Sequence, residues 1–188
     1  MDTWLFQRIN GLAGHQRYAD GLTSAFARFG PFALVGLFVA LWFEPAPREE
    51  RTLRQKAAII AAAASLLALG INQVISRVWQ RPRPYVRQPT VLLLHATRDP
   101  SFPSDHAAVC FAIATVLVLL SWQTGVWALL FAGAVAFSRV YVGEHYVTDV
   151  LAGALIGATC GASLYAVRGW FDPVLDPLLR QLRRVRLA

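Results

Sequence analysis

The sequence predicts an all-α membrane protein, a bundle of about five transmembrane helices with an N-terminal amphipathic helix at the interface. Of the 188 residues, 56% are apolar and 15% are charged, and the mean hydropathy is +0.44. A soluble domain usually carries about 25% charged residues. Five long apolar runs leave little polar surface for a water-soluble bundle, and the length allows one domain, residues 1–188. The runs are roughly 29–43, 57–75, 107–122, 125–142 and 150–167.

The lengths of these runs keep a soluble bundle open as an alternative. A helix needs about 20 residues, and at least about 17, to cross the hydrocarbon core. The runs 29–43 and 107–122 are shorter than that. A protein that crosses the membrane several times nevertheless explains the composition better, because a soluble bundle needs polar faces that these runs lack.

The first twenty residues form a separate segment. Residues 1–20 alternate apolar and polar side chains and contain no hydrophobic region typical of a signal peptide. Trp4, Leu5, Ile9 and Leu12 fall near one face of a helix. This pattern predicts a helix lying along the membrane interface, and a short helix packed on the bundle explains it equally well.

A short link between the third and fourth runs predicts an antiparallel hairpin. Only residues 121–124 separate them. Residues before the third run and after the fourth therefore share one side of the membrane, which places the segments 77–106 and 138–149 together. The segment 44–56 and the tail 168–188 then lie on the opposite side.

Basic residues do not decide the orientation by number alone. The segment 44–56 and the tail carry nine Lys and Arg residues together, and the other side also carries nine. Cytoplasmic loops carry an excess of Lys and Arg. If part of the second group serves a function, the tail, with Arg183, Arg184 and Arg186, is predicted to be cytoplasmic.

Three polar clusters interrupt the apolar background on the predicted shared side. They are Arg81-Pro82-Arg83-Pro84, Pro103-Ser104-Asp105-His106, and the segment 138–149, which reads SRVYVGEHYVTD. Arg83 and Arg139 offer planar donor forks that suit phosphate oxygens. A helix beginning after Ser104 would direct free backbone N–H groups outward and form an anion site.

The two histidines of these clusters suggest nucleophilic chemistry. His145 and Asp149 are four residues apart, so the carboxylate can hold the imidazole in one tautomer. His106 lies in the first turn of its helix and is free to protonate a leaving group. Simpler interpretations exist, because Arg and His at membrane boundaries often contact headgroups, and an RPRP stretch can be only a rigid turn. The three clusters in order are much more specific than any one alone.

The clusters resemble the three signatures of the type 2 phosphatidic acid phosphatase superfamily, KxxxxxxRP, PSGH and SRxxxxxHxxxD. The match spans roughly residues 72–149. Within the superfamily, the segments 72–76, 101–107 and 10–14 are similar to the bacterial undecaprenyl-diphosphate phosphatase branch.

The resemblance implies a role for each motif residue. His145 would attack the terminal phosphorus and become a transient phosphohistidine, Asp149 would orient it, and His106 would protonate the leaving lipid phosphate. No metal ion or other cofactor is implied, since positioned cations take the role of Mg²⁺. The implied phosphate-binding groups are Arg83, Arg139, Ser104 and the backbone at Asp105.

Two positions depart from the superfamily pattern. Ser76 stands where the superfamily has Lys, so either the neighbouring Arg77 substitutes for it or the role of the Lys is lost, and we slightly favour Arg77. Asp105 replaces the Gly of PSGH and places a carboxylate beside the phosphate site, where it weakens anion binding or pairs with an Arg. Glu144 could act on the pKa of His145, but a solvent-facing position is the stronger expectation.

The expected function is hydrolysis of undecaprenyl diphosphate to undecaprenyl phosphate, which recycles a lipid carrier for cell-wall synthesis and is linked to bacitracin resistance. The expected location is the bacterial cytoplasmic membrane, with the active site on the periplasmic face. Phosphatidic acid, phosphatidylglycerol phosphate and transfer to an acceptor lipid remain alternatives, as does a non-catalytic membrane scaffold. Dispersed basic residues without an aromatic-interleaved patch argue against nucleic acid as a partner. Cys110 and Cys160 lie in apolar runs without metal-ligand spacing, and we expect ordinary buried residues.

Overall fold

The computed structural model describes residues 1–184, in which all regular structure is helical. This confirms the predicted all-α class. A short 3-10 helix, Arg168–Phe171, precedes the last α-helix. Arg186 of the predicted tail and the side chain of Arg184 lie outside the described residues. The helices are α1 (Asp2–Asn10), α2 (Arg17–Phe43), α3 (Arg48–Val78), α4 (Pro84–Arg87), α5 (Asp105–Leu120), α6 (Trp122–Tyr141), α7 (Val147–Ala166) and α8 (Asp172–Arg184).

Four of these helices, α2, α3, α6 and α7, are long and apolar enough to cross a membrane. The first apolar run reaches that length because its helix extends back to Arg17 and contains 27 residues. Helix α5 is shorter, with 16 residues, and packs against α3, α6 and α7. The five predicted runs therefore correspond to four candidate spans and one central apolar helix.

The N-terminal segment divides into two elements rather than one. Helix α1 ends at Asn10, and Arg17 already belongs to α2. Phe6 is fully buried and its ring lies 5.5 Å from that of Tyr146, whereas Trp4 and Leu12 are exposed. Helix α1 therefore packs on the bundle through Phe6 and Asn10. Of the predicted face, Leu5 and Ile9 are half-buried, while Trp4 and Leu12 remain exposed.

The tail forms a helix that packs against the start of α3. Lys56 Nζ lies 2.6 Å from Asp172 Oδ1 and 2.7 Å from Asp176 Oδ1. Leu179 is buried, and Arg183 donates to Gln55 over 3.1 Å. These contacts place the segment 44–56 and the tail at the same end of the bundle, as the sequence predicts.

Helices α5 and α7 approach each other at backbone distance. A Cβ atom added at Gly153 would lie 2.3 Å from the carbonyl oxygen of Ser104, and one at Gly157 would lie 2.0 Å from that of Ala108. Small residues at such positions allow two helix backbones to approach closely. The close approach holds the first turn of α5 beside the first turn of α7.

The predicted hairpin brings two loops to one end of the bundle. Helices α5 and α6 meet at Ser121 and run antiparallel, so the segments 79–104 and 142–146 share the opposite end, which we call the site end. Backbone hydrogen bonds join these segments to their neighbours. Ser104 N donates to Asp149 O over 3.0 Å, and Leu93 N donates to Val142 O over 3.1 Å. Both cysteines are buried and free, as expected.

Candidate active site

A polar cavity of about 390 Å³ opens at the site end. It lies between the end of α3, the first turn of α5, the end of α6 and the loop before α7. The structure brings five of the predicted site residues to its wall. They are Arg83, Asp105, His106, Arg139 and His145.

His145 is held in the wall of this cavity by a backbone carbonyl. The residue is 3% exposed, and its Nδ1 lies 2.7 Å from the carbonyl oxygen of Ser101. Because a carbonyl can only accept, Nδ1 carries the proton and Nε2 carries the lone pair. Burial is the main factor that lowers the pKa of His145. Arg139 and Arg83 lower it further, while Asp149 opposes them.

Asp149 lies behind His145 and does not bind it directly. The nearest approach, from Asp149 Oδ2 to His145 Nδ1, is 3.7 Å. The same carboxylate oxygen accepts from Ser101 Oγ over 2.5 Å and from the backbone N–H of Tyr146 over 2.8 Å. The spacing of four residues predicts the proximity correctly, but the geometry makes Ser101 the direct partner of the imidazole.

Arg83 is held at the cavity by two backbone carbonyls. Its Nε donates to the carbonyl oxygen of Asp99 over 3.0 Å, and Nη1 donates to that of Glu144 over 3.4 Å. The side chain is buried. Prolines on either side restrict the backbone around Arg83, so the RPRP stretch is both a rigid turn and a holder for the guanidinium.

Arg139 is buried and paired with an acid, which corrects the expectation for Glu144. Nη1 of Arg139 donates to the carbonyl oxygen of Ala27 over 2.9 Å, and Nη2 forms an ion pair with Glu144. Glu144 is only 4% exposed and lines the cavity, so it does not face solvent. The chain turns at Gly143, whose φ of 89° favours glycine, and the buried guanidinium compensates the acid that follows.

The first turn of α5 presents polar groups beside the cavity. Ser104 is the N-cap residue, and in the described part of the chain its buried Oγ has no hydrogen-bond partner. Asp105 accepts from Asn72 Nδ2 over 2.8 Å and from Gln73 Nε2 over 3.4 Å. Asp105 therefore pairs with amides of α3 rather than with an Arg, and the N-terminus of α5, where the sequence predicts anion binding, lies at the same turn.

The structure does not bring Arg77 to this cavity. Arg77 is exposed near the end of α3, and the residues of that turn that line the cavity are Gln73 and Ser76. One helical position turns a side chain by about 100° around the axis, so adjacency to Ser76 directs Arg77 elsewhere. In this structure, Arg77 is therefore not among the residues that line the cavity beside Ser76.

Sequence reasoning missed three residues that complete the site. Ser101 and Arg81 lie inside the recognised motifs, and their polarity was the only available signal for a role. Nothing in the sequence connects Asp2 with these motifs. In the structure, Ser101 contacts both His145 and Asp149, and Arg81 contacts both Asp2 and Asp149.

Within residues 1–184, the structure contains no group of three or more His, Cys, Asp or Glu side chains arranged to hold a metal ion. The charged groups that line the cavity are instead two guanidiniums and three carboxylates. They are Arg83, Arg139, Asp99, Asp105 and Glu144.

A family model described as the PAP2 superfamily matches residues 57–172, which is more than half of the chain. The chain belongs to the PAP2 superfamily. The family expected from the three motifs is therefore confirmed. As a member of this phosphatase superfamily with membrane-spanning helices, the chain is a membrane lipid phosphatase by family.

Individual PAP2 relatives extend the similarity to nearly the whole chain. Undecaprenyl-diphosphatase BcrC of Bacillus subtilis is 28% identical over 181 residues, which cover 96% of this chain and 91% of the relative. Bacitracin transport permease protein BcrC of Bacillus licheniformis is 30% identical and covers 91% and 80%, respectively. The crystal structure of Aquifex aeolicus LpxE superposes with a TM-score of 0.72 at 28% identity, covering 85% of this chain and 92% of that one.

Proposed function

We propose that this PAP2 protein hydrolyses undecaprenyl diphosphate to undecaprenyl phosphate and inorganic phosphate, and so recycles a lipid carrier. One observation carries the proposal. His145, His106, Arg83 and Arg139 line a single cavity, and the contact with Ser101 leaves Nε2 of His145 with its lone pair. The similarity to an undecaprenyl-diphosphatase over 96% of the chain supports this substrate.

The first chemical step transfers the terminal phosphoryl group to His145. Nε2 attacks the terminal phosphorus and forms a P–N bond, while the bond from that phosphorus to the bridging oxygen breaks. His106 donates a proton to the departing oxygen, so that undecaprenyl phosphate leaves. The carbonyl of Ser101 holds the imidazole in the required tautomer, and Asp149 lies behind it and accepts from the Ser101 hydroxyl.

The second step releases the phosphate. His106, now neutral, takes a proton from a water molecule that attacks the phosphohistidine. The P–N bond breaks, inorganic phosphate forms, and His145 regains its lone pair. The same two histidines thus serve both steps, and His106 regains the proton that it donated. Burial, with Arg139, His145 and Arg83, lowers the pKa of His106 to about 3, so the negative charge of the bound lipid diphosphate has to keep this proton on the imidazole.

Four groups are placed to bind the transferred phosphoryl group. In the described part of the chain, Ser104 Oγ and Arg139 Nε are buried atoms without a partner. Phosphoryl oxygens would satisfy both, together with Arg83 and the backbone N–H of Asp105 at the start of α5. These positioned donors supply the charge stabilisation that Mg²⁺ supplies in other phosphoryl-transfer sites, so we propose a metal-independent reaction.

The active site is proposed to face the periplasm, across the bacterial cytoplasmic membrane. The opposite end of the bundle carries the basic segment 44–56 and α8, whose Lys and Arg residues favour the cytoplasmic side. At the site end, Arg81, Arg83 and Arg139 are engaged in buried or half-buried contacts, so they do not count as loop charge. A tag after Ala188 that is accessible only from outside the cell would overturn this orientation.

Phosphate release in detergent tests the proposed reaction. The purified protein should release phosphate from undecaprenyl diphosphate in the presence of EDTA. His145→Ala should abolish release, whereas His15→Ala, a change at an exposed histidine between α1 and α2, should leave it unchanged. Retained activity in His145→Ala would show that the mechanism is wrong.

Substrate comparison separates the proposed function from its alternatives within the superfamily. Rates on undecaprenyl diphosphate, phosphatidic acid and phosphatidylglycerol phosphate are measured side by side, with and without an acceptor lipid. We expect the fastest hydrolysis with undecaprenyl diphosphate. A faster rate on another lipid, or a phosphorylated acceptor, would replace the proposed substrate or reaction.

A further inference from the structure

We propose that Arg81, clamped by Asp2 of helix α1, is a positioning residue that balances the charge of Asp149 behind the nucleophilic His145. The inference rests on the proposed function, because it assigns roles around the proposed phosphohistidine. It adds two residues, one of them at the very start of the described chain, to the machinery of the reaction.

The contacts of Arg81 point to Asp149. Its Nη1 lies 2.6 Å from Asp149 Oδ1 and 2.7 Å from Thr148 Oγ1. Its Nη2 lies 2.5 Å from Asp2 Oδ2, and the guanidinium stacks 4.1 Å from the ring centre of Tyr146. The guanidinium therefore has a fixed position, with one edge on the acid behind His145 and the other on α1.

Asp2 of helix α1 binds both Arg81 and Thr148, and we call these three residues the clamp. Its carboxylate accepts from the backbone N–H of Thr148 over 3.1 Å and from Thr148 Oγ1 over 2.5 Å, in addition to Arg81. Burial opposes the charged form, but hydrogen bonds from Thr148 and Arg81 outweigh it and lower the pKa of Asp2 below its ordinary value. Asp2 is thus ionised and holds Nη2 of Arg81, while Asp149 binds Nη1.

The burial of Asp149 explains why a nearby cation matters. The carboxylate is 0% exposed, and a buried charge without a paired cation is costly. Without Arg81, its neighbours would be the hydroxyl of Ser101, the N–H of Tyr146 and the imidazole of His145. The unbalanced carboxylate would then favour protonation of His145, and a protonated imidazole has no lone pair for attack.

Other charged groups around His145 come from different elements and also act on its pKa. Arg139 of α6 and Arg83 of the loop disfavour its protonation, and His106 of α5 and His145 each disfavour protonation of the other. The carboxylate of Glu144, which precedes His145 in the chain, lines the same cavity. Arg81 does not contact the imidazole and acts on it through Asp149. Removing Arg81 is therefore expected to raise the pKa of His145. As the pH is lowered, activity should then be lost at a higher pH than in the unaltered protein.

The pH dependence of kcat/KM tests this role. We expect Arg81→Met to lower kcat at least tenfold with KM within a factor of two. The acid limb of the profile, the pH below which kcat/KM falls, should move upward by about one pH unit. Asp2→Asn removes a carboxylate that competes with Asp149 for Arg81, so it should move the limb in the opposite direction by a smaller amount, and Arg81→Lys should restore part of the rate. Arg98→Met, a change at an exposed arginine of the same loop, should alter neither value.

A purely structural role predicts a different pattern. Phe6→Ala removes packing between α1 and Tyr146 without changing a charge, so it serves as the reference for a loss of packing alone. If Arg81→Met and Asp2→Asn lower kcat with the acid limb unmoved, as a loss of packing would, the positioning role is overturned. Where Arg81→Met does not fold, the limb of Asp2→Asn decides the result, since an amide in place of this carboxylate keeps the shape of the clamp.

The same measurements distinguish failure of this inference from failure of the proposed function. The profiles are recorded with whichever lipid phosphate the unaltered protein hydrolyses fastest. Slow cleavage of undecaprenyl diphosphate beside fast cleavage of another lipid overturns the proposed substrate alone. Activity that survives His145→Ala, or a protein that cleaves no lipid phosphate, overturns both.

Discussion

Glu144 forms an ion pair with Arg139 inside the polar cavity, next to the residue that would carry the phosphoryl group. The pair is almost completely buried, so the guanidinium is already compensated before any anion arrives. A phosphate entering the cavity has to share Arg139 with this carboxylate. We therefore expect the ion pair to weaken anion binding at the site.

Glu144→Gln should strengthen binding of free phosphate. Removing one negative charge beside Arg139 leaves the guanidinium available, and we expect the inhibition constant of inorganic phosphate to fall about tenfold, which corresponds to about 1.4 kcal/mol. Competition assays with the lipid substrate measure it. Glu49→Gln, at an exposed position on the opposite end, is the matched control. Weaker inhibition in Glu144→Gln would mean that the carboxylate orients Arg139 and does not compete for it.

Ser101→Ala should impair the proposed nucleophile without removing its carbonyl contact. The change deletes the hydroxyl that donates to Asp149 and leaves the backbone oxygen that accepts from His145. A buried carboxylate that loses a donor costs about 1–3 kcal/mol. We expect a lower melting temperature and a fall in kcat of about tenfold, measured against Ser163→Ala on an exposed face of α7. Full activity in Ser101→Ala would assign the orientation of His145 to the carbonyl alone.

Gly153→Ala should disturb the active site from inside the bundle. The added Cβ would lie 2.3 Å from the carbonyl oxygen of Ser104, so the first turn of α5 has to move away from α7. We expect at least a tenfold loss of kcat/KM, because His106 and the phosphate-binding turn move together. Gly36→Ala on α2 meets nothing within 4 Å and should be neutral or slightly stabilising. Unchanged activity in Gly153→Ala would show that the two helices separate without cost to the site.

The acid limb of the unaltered protein should lie below the ordinary histidine range. His145 must be neutral to attack, and its pKa is lowered, chiefly by burial. As the pH falls through about 6.5, where an exposed histidine becomes protonated, His145 stays neutral and activity is retained. The dependence of kcat/KM on pH measures this limb, and His145→Ala provides the background. A limb above pH 6.5 would contradict the lowered pKa.

Residues in compact motifs were predictable because their geometry is local. The turn between α5 and α6 is so short that the two helices must be antiparallel, and this alone places the three clusters at one end of the bundle. His145 and Asp149 share a neighbourhood because four residues make about one helical turn. The RPRP stretch restricts its own backbone. The locations of the histidines and of Arg83 and Arg139 follow from these constraints.

Contacts between distant segments were not predictable. His145 donates its hydrogen bond to a carbonyl 44 positions away, and Arg81 pairs with Asp2 across 79 positions. Arg77 was expected at the site from adjacency, but the helix turns it outward. The sequence offers several partners for each of these side chains, and their identity depends on how the helices pack.

The helical membrane class, the superfamily and the end of the bundle that holds the site are predictable from the sequence, because periodicity, hydropathy and short connections act over neighbouring residues. The packing of the helices is needed to show that Ser101 lies between His145 and Asp149, that Glu144 faces inward, and that Asp2 of α1 reaches Arg81. Each of these is a choice among competing hydrogen-bond and charge partners. That choice is settled by burial, since a buried polar group takes the partner that packing brings within reach.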